Sequence, residues 1–449
     1  MSDDDSVDYR RGRRHHGGGG GGAAASAAAA LSRVHHHRPT RVPGAVLNIV
    51  LPYFNFSGSH TRPRLHSEFC ERWKQWEERG DLGGTRAVVY VVEGALKDHA
   101  YEVTSASCPQ HLQLRLDSAF FCKEALVNAA VTRLLPRDAE YIAVIDSDVQ
   151  FSNQRLLSDT LAALQRHAVV QLFSTAQDLG PDGEHMGGAP VQSFAATYID
   201  HLKEHALTLA SLSLDVPPRP SVPAPAQSQP STSAAPAGGL GDEDDSVPSA
   251  PVLAALSSGG APSAASIATD ACYPTPACST SGGGKVSAGG GHKKRKTGTS
   301  GHPGYAWAYT REAWKTFGGM IAFAVTGSAD RLMALGLVGA VEAALDASMS
   351  EDYKRGARAW QHRAQALGRN LGVVHGGLLH EWHGPKTDRR YTDRHAILKA
   401  TGFSPDLHTV MDSEGMLQIT SSQSRDAAEL RLRLAAYFTL RDDDSKCRH

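Results

Sequence analysis

The sequence predicts an α/β domain, a mostly parallel sheet flanked by helices on both faces. Apolar, β-branched runs alternate with stretches of helical periodicity between residues 45 and 175. The runs are apolar throughout rather than at every second residue, as strands buried on both faces are. The most apolar of them, Tyr141 to Ile145, ends at once on Asp146-Ser147-Asp148, at the kind of strand end where such sheets bind ligands.

Taken in order, Ala45 to Leu51 (AVLNIVL) stops at Pro52 and reads as a buried strand. HSEFCERWKQWEERG sets Phe69, Trp73 and Trp76 at helical spacing, with Gly80 as a stop. TRAVVYVVEG is a second buried strand ending on Glu93 and Gly94. SAFFCKEALVNAAVTRLLP is a helix closed by Pro136, and YIAVI is the third strand. NQRLLSDTLAALQRH is a helix and AVVQLFST a fourth strand. After a break in composition come HPGYAWAYTREAWKTFGGM, helices around ADRLMALGLVGAVEAAL and EDYKRGARAWQHRAQAL, and the short strand LGVVHG. The segment LLHEWHGPKTDRRYTDRHAILKATGFSPD follows, and the tail ends RDDDSKCRH.

The composition divides the 449 residues into five parts. Residues 1–44 read as a disordered low-complexity arm, in which HHHRP resembles a metal tract less than drift within a biased segment. Residues 45–210 and 302–408 read as two halves of one domain, with 409–449 as a C-terminal extension. Residues 211–301 are rich in Pro, Ser, Ala and Gly. They offer too little apolar area to offset their ordering entropy, so a disordered insertion is expected there. KKRK (293–296) reads as a solvated charge cluster in that insertion, with a nuclear signal as the other reading.

Charge is nearly balanced, 46 Lys+Arg against 47 Asp+Glu, so nothing global marks a nucleic-acid or membrane-surface binder. The six cysteines form no CxxC pair and no zinc spacing, which suits free thiols in a reducing compartment. No run approaches the roughly 18 apolar residues of a spanning helix, and the start lacks signal-peptide order. A cytoplasmic location is the expectation.

Asp146 and Asp148 repel at such close range unless they face water or share a cation. As the chain leaves a strand, both carboxylates can reach one hard divalent ion, which would also seat a diphosphate. A solvated turn is the competing reading. His380 and His383, in HEWH, are at i and i+3, one short of the metalloprotease His-Glu-x-x-His spacing, and offer imidazole ligands.

Together these segments resemble the GT-A (Rossmann-like) fold of family 2 nucleotide-sugar glycosyltransferases. LPYFNF, the K-x-x-x-x-N helix KEALVNAAV and AEYIAVIDSDVQF resemble the nucleotide-sugar half, the last carrying the DxD motif. GYAWAYTREAW followed by Gly318-Gly319 resembles the glycine-rich loop, TGSADRLMA the xED segment, and LLHEWHG the metal-completing histidine. All stand in the family's order. The resemblance implies a metal-dependent glycosyltransferase using Mn²⁺ or Mg²⁺, with a UDP- or GDP-sugar donor and a glycan, protein or small-molecule acceptor. It implies metal binding by Asp148, by Asp146 directly or through a water, with the ribose as its alternative partner, and by His380 or His383, with His380 preferred. Asn55 and Glu93 lie where family members hold base and ribose. Lys386 and Arg394, with Arg389 and Arg390, would pass over the diphosphate, or form an ordinary solvated helix start. Tyr305 and Trp307 would give a sugar-stacking wall, or simply core. Tyr391 packs or stacks.

One departure is Ala329-Asp330, where the family often has Glu-Asp. Asp330 alone is left as general base or acceptor ligand, or as the N-cap of RLMALGL. A catalytically inactive module that binds a nucleotide sugar or glycan is therefore a second reading. A sugar-nucleotide nucleotidyltransferase is a third, poorly matched by LPYFNFSGSHTRPR, which lacks a glycine-rich phosphate loop.

Overall fold

The computed structural model describes residues 45–78, 85–214, 300–390, 393–421 and 424–445. The N-terminal arm, nearly all of the expected insertion with KKRK, Tyr391, Cys272, Cys278 and Cys447 lie outside these residues.

Strand β1 (Val46–Phe54) leads to helix α1 (Thr61–Glu78) and strand β2 (Arg86–Leu96). Both strands run further than expected. β1 passes through Pro52 because it pairs with β4 only from Leu47 to Val50, while its pairing with β2 continues to Phe54↔Gly94. With a neighbour on one side only, a residue lacking N–H is tolerated. β2 continues to Leu96, which puts Glu93 inside the strand rather than at its end. β3 (His111–Leu116) follows, an edge strand whose alternating HLQLRL pattern carries no continuous apolar run.

Next come α2 (Lys123–Arg133), β4 (Tyr141–Ile145), β5 (Val149–Phe151), α3 (Leu156–Leu164), β6 (Val169–Gln171), β7 (Thr175–Asp178) and β8 (Val191–Gln192). Helix α4 (Phe194–Leu214) runs past the boundary expected at 210. The chain returns as β9 (Ala306–Thr310), α5 (Arg311–Phe317), α6 (Ala329–Leu337), α7 (Glu351–Gln365), β10 (Leu371–Val373) and β11 (Gly377–His380). It closes with α8 (Arg394–Ala400), α9 (Pro405–His408), the antiparallel pair β12 (Thr409–Met411) and β13 (Leu417–Ile419), and α10 (Arg425–Thr439).

The main sheet has the order β10-β6-β9-β4-β1-β2-β3. It is parallel except for β9, which lies antiparallel between β4 and β6. Its two faces are separate cores. Val50, Val92, Ile142 and Val144 pack with α2, α5, α6 and α7 on one side. Leu47, Ile49, Leu51, Ala143 and Ile145 pack with Phe69 and Trp73 of α1 and Leu157 and Leu161 of α3 on the other. Successive residues of β1 alternate between the two, as the strand period of two requires. Full burial of each such side chain contributes about 1.5–3 kcal/mol, so both layers of helices are held by the same strands.

A second sheet, β5-β11-β7-β8, carries the chain on from β4. Asp146-Ser147-Asp148 is the link between β4 in the first sheet and β5 in the second. Asp178 and His380 are the last residues of the neighbouring strands β7 and β11. Among the described residues no helix is long and apolar enough to cross a membrane.

Candidate functional site

The two carboxylates of the β4–β5 link part company. Asp146 turns to α2, where Lys123 Nζ lies 2.5 Å from its Oδ1, and both side chains are nearly buried. Its N–H donates to the Tyr305 carbonyl at 2.9 Å, which ties the link to the start of β9. Burial would lower the Lys123 pKa, but the carboxylates of Asp146, Glu124 and Asp330 together raise it, so the ammonium stays charged. The same helix anchors the glycine turn. Asn128 donates to the Met320 carbonyl at 2.9 Å and accepts its N–H at 2.8 Å. A Cβ on Gly319, whose φ is +80°, would meet Asn128 Oδ1 at 2.7 Å. Lys123 and Asn128 thus give the K-x-x-x-x-N spacing two distinct physical tasks.

Asp148 turns the other way. Its Oδ2 lies 3.3 Å from His383 Nε2 and 3.7 Å from His380 Nε2. The two Nε2 atoms are 3.1 Å apart. His380 is oriented from behind, whereas His383 is held at Nε2, the same nitrogen that faces Asp148. Asp178 accepts from His380 Nδ1 at 2.8 Å, and Arg389 Nη1 donates to His383 Nε2 at 2.7 Å. Burial, then Arg389, pushes the His383 pKa down to about 3, so its imidazole is neutral. The Glu381 N–H donates to the Asp148 carbonyl at 2.8 Å and holds the end of β11 against the link.

Asp148, His380 and His383 thereby bring three ligand atoms within 4.8 Å of one another. With a proton on His380 Nδ1, His380 Nε2 and Asp148 Oδ2 face this point as acceptors; the His383 Nε2 lone pair accepts from Arg389, which a cation would have to displace. Asp148 Oδ1 is also buried with no hydrogen-bond partner. Converging acceptors and an orphaned carboxylate oxygen form a donor set that a divalent cation fits. Asp146 is not one of these three; its Oδ1 pairs with Lys123. Both histidines join the cluster, where one was expected.

The cluster borders two spaces. One is a cleft lined by Pro52, Tyr53, Phe54, Arg62, Lys123 and Asp146. The other is a cavity of about 500 Å³ lined by Asp178, Tyr305, Trp382, Lys386 and Arg389.

The other expected residues fall into three groups. Asp330 is close to the cluster of charges. It shares a pocket of about 20 Å³ with Lys123, Glu124, Tyr305 and Trp307. It is not the N-cap of α6, which is Ser328; it sits in the first turn, with Oδ1 accepting the Arg331 N–H at 2.9 Å. Burial raises its pKa, opposed by Lys123. Lys386, half-exposed on the cavity rim, pairs with Asp178 at 3.3 Å.

Four residues are committed elsewhere. Glu93 accepts the N–H groups of Glu102, Val103 and Thr104 at 2.6, 3.1 and 2.9 Å and the Thr104 hydroxyl at 2.6 Å. A carboxylate so occupied organises its loop. Asn55 bonds Ser59 O and N at 2.8 and 2.9 Å and Glu102 at 3.0 Å, closing the β1–α1 loop. Arg394 is 1% exposed and donates to Ser328 Oγ at 3.0 Å, at the N-terminus of α6 and outside the cleft lining. Its burial lowers its pKa to about 10. Trp307 is core, its indole N–H donating to the Pro303 carbonyl at 2.7 Å.

Tyr305 is also buried, but it reaches the site. Its ring stacks between His302 at 4.0 Å and His380 at 4.9 Å, on a backbone with φ +75°. Left-handed φ is rare for an aromatic residue, and it persists only where surroundings hold it.

Sequence reasoning missed Asp178, Arg62, Lys123 and Asp443. Of these only Lys123 stood in a noted motif.

No protein-family model matches the chain, and no curated protein matches it. A solved chain from Desulfovibrio desulfuricans G20, provisionally named a nucleotide-diphospho-sugar transferase, is 14% identical to it with a TM-score of 0.19. That match covers 31% of this chain and 60% of the other, so this chain spans less than two thirds of it.

Proposed function

We propose that the protein is a metal-dependent glycosyltransferase, moving a sugar from a nucleoside-diphosphate sugar to an acceptor hydroxyl. One observation carries this reading: the acceptor atoms of Asp148, His380 and His383 converge at the link leaving β4, beside the cleft lined by Pro52–Phe54, Arg62 and Lys123. Asp148, His380 and His383 would hold Mn²⁺ or Mg²⁺, which when bound neutralises diphosphate charge. Arg62, on the cleft wall, would add a cationic donor to phosphate oxygens. Lys123 keeps Asp146 from repelling the diphosphate. Lys386, on the cavity rim, can leave Asp178 for an anionic ligand at little cost, since it is half-exposed. Asp330, raised by burial, would take the proton of the acceptor hydroxyl as its oxygen bonds the anomeric carbon and the bond to the diphosphate breaks.

A binding module is favoured by one observation: Asp330 lines a separate pocket that is shared with Trp307 and Tyr309 and is bordered by none of Asp148, His380, His383 and Arg62. The deciding experiment measures UDP or GDP release from a panel of nucleotide sugars with and without Mn²⁺. Metal-dependent release supports the transferase. Metal-dependent nucleotide binding without release or transfer supports the module. Neither binding nor release overturns both.

A further inference from the structure

The last described residues, Arg441-Asp442-Asp443-Asp444-Ser445, touch two loops that are far apart in sequence. Asp443 is buried between two guanidiniums, with Arg62 Nε at 2.9 Å and Arg441 Nη2 at 2.8 Å, and accepts the Ser57 hydroxyl at 3.2 Å. Asp444 accepts the Ser59 hydroxyl at 2.6 Å and the N–H groups of His60 and Thr61, both at 2.8 Å, at the entry to α1. These bonds hold the β1–α1 loop and Arg62, one wall of the cleft.

The same five residues hold the loop after β11. Asp442 N–H donates to the Asp388 carbonyl at 3.1 Å, and the Ser445 hydroxyl to the Asp388 carboxylate at 2.8 Å. Trp382 donates its indole N–H to the Ser445 carbonyl at 3.3 Å. Gly384 lies so close that a Cβ there would come 2.6 Å from the Asp442 carbonyl oxygen. Asp443 Oδ1 is 3.9 Å from His383 Nδ1, the ring nitrogen facing away from Asp148.

We infer that residues 441–445 act as a clasp. It fixes the β1–α1 loop against the His383 loop and so sets the spacing between Arg62 and the Asp148–His380–His383 cluster, with Asp443 as its positioning residue. An element bonded to both segments helps fix their separation, beside the Arg72–Glu381 ion pair at 2.6 Å that joins α1 directly to the segment after β11. Five side chains or backbone groups on one loop and three on the other are bonded to residues 441–445 here. The consequence for the site rests on the reading of that cluster as a cation seat; the mechanical claim does not.

The test uses the full chain and two variants, Asp443→Asn and Asp444→Asn. Hydrogen exchange reads the amides of 55–62 and 383–390, and calorimetry with Mn²⁺ alone reads the cluster. In Asp443→Asn, exchange should quicken about tenfold or more in both segments while β1 and β4 stay protected. Mn²⁺ affinity should fall about 10- to 100-fold, the usual effect of loosening a group that orients a ligand. Asp444 is exposed, so Asp444→Asn serves if the buried change prevents folding; it touches only the first loop directly, yet both segments should quicken. Quickening confined to 55–62, or none, overturns the clasp. So does unchanged Mn²⁺ affinity in both variants where the wild type binds. If the wild type binds no Mn²⁺, the cation seat falls, and exchange alone decides the clasp: both segments support it, any other pattern overturns it.

Discussion

Asp178 and Asp148 hold the His380 ring between them, Asp178 at 2.8 Å from Nδ1 and Asp148 at 3.7 Å from Nε2. The first contact fixes the tautomer that leaves Nε2 free to bind a cation. Asp178→Asn keeps the shape and weakens that preference, since an amide can turn its N–H toward the ring. Mn²⁺ affinity should fall about 10- to 100-fold. Stability should shift by less than about 1 kcal/mol, because Asp178 is a third exposed and its partner Lys386 is half-exposed. Titration with the metal, beside a melt, checks both; unchanged affinity would mean that Asp178 only pairs with Lys386.

Asp146 and Asp148 should fail in different experiments. Asp148→Asn removes the one anionic atom of the cluster, so Mn²⁺ affinity and metal-dependent nucleotide binding should be mostly lost with little unfolding. Asp146→Asn strands the buried Lys123 ammonium, which should cost about 3–5 kcal/mol in urea unfolding. Its metal affinity should change far less than that of Asp148→Asn. Equal loss of metal affinity in the two variants, with no loss of stability in Asp146→Asn, would return both carboxylates to one shared cation.

What could be read in advance follows from where the information lies. The strands β1, β2 and β4 are legible because burial on both faces demands unbroken apolar runs. β3, β5, β7, β8 and β11 are short or half-polar, and β5 and β7 pair with β11 far along the chain. The direction of β9 was not legible, since Ala306–Thr310 is apolar whichever way it runs. Asp148 and the two histidines announce themselves by motif. Asp178 in AQDLG and Asp443 in RDDDS do not, because a lone carboxylate gains its role only from the ring or guanidinium that folding brings to it. Glu93 and Asn55 are spent on a neighbouring loop: Glu93 lies inside β2 rather than at its end and accepts the N–H groups of Glu102, Val103 and Thr104, and Asn55 bonds Glu102.

Glu124 makes stability depend on pH. Burial pushes its pKa up to about 8 from an ordinary 4.5. The folded state therefore binds its proton more tightly than the unfolded chain does. The resulting stabilisation is full below about pH 4.5 and is lost as pH rises through 8. Across that window the single proton contributes a slope of up to about 1.4 kcal/mol per pH unit. Glu124→Gln removes this slope, so the variant should gain on the wild type between pH 5 and pH 8.5. Urea unfolding at those two values measures the difference. A gap that is constant with pH would show Glu124 ionised at neutral pH beside Lys123.

The last expectation separates an enzyme from a binder. Asp330 lines a pocket with Lys123, acts on that ammonium as Asp146 does, and contributes none of the three cluster ligands. Asp330→Asn should therefore leave Mn²⁺ and nucleotide affinity nearly unchanged. The Asn oxygen can still accept the Arg331 N–H, so the first turn of α6 is preserved. Losing a negative charge there should cost only about 0.3–1 kcal/mol against the helix dipole. If Asp330 takes the acceptor proton, transfer should nonetheless fall about 10²–10⁴-fold, the usual worth of a positioned base. Donor affinity by titration and transfer rate with a defined acceptor are measured on the same preparation. Equal loss of binding and transfer would make Asp330 a part of the donor seat. Unaffected transfer would leave it as a first-turn carboxylate, and the base would have to be sought in the 500 Å³ cavity beside His380.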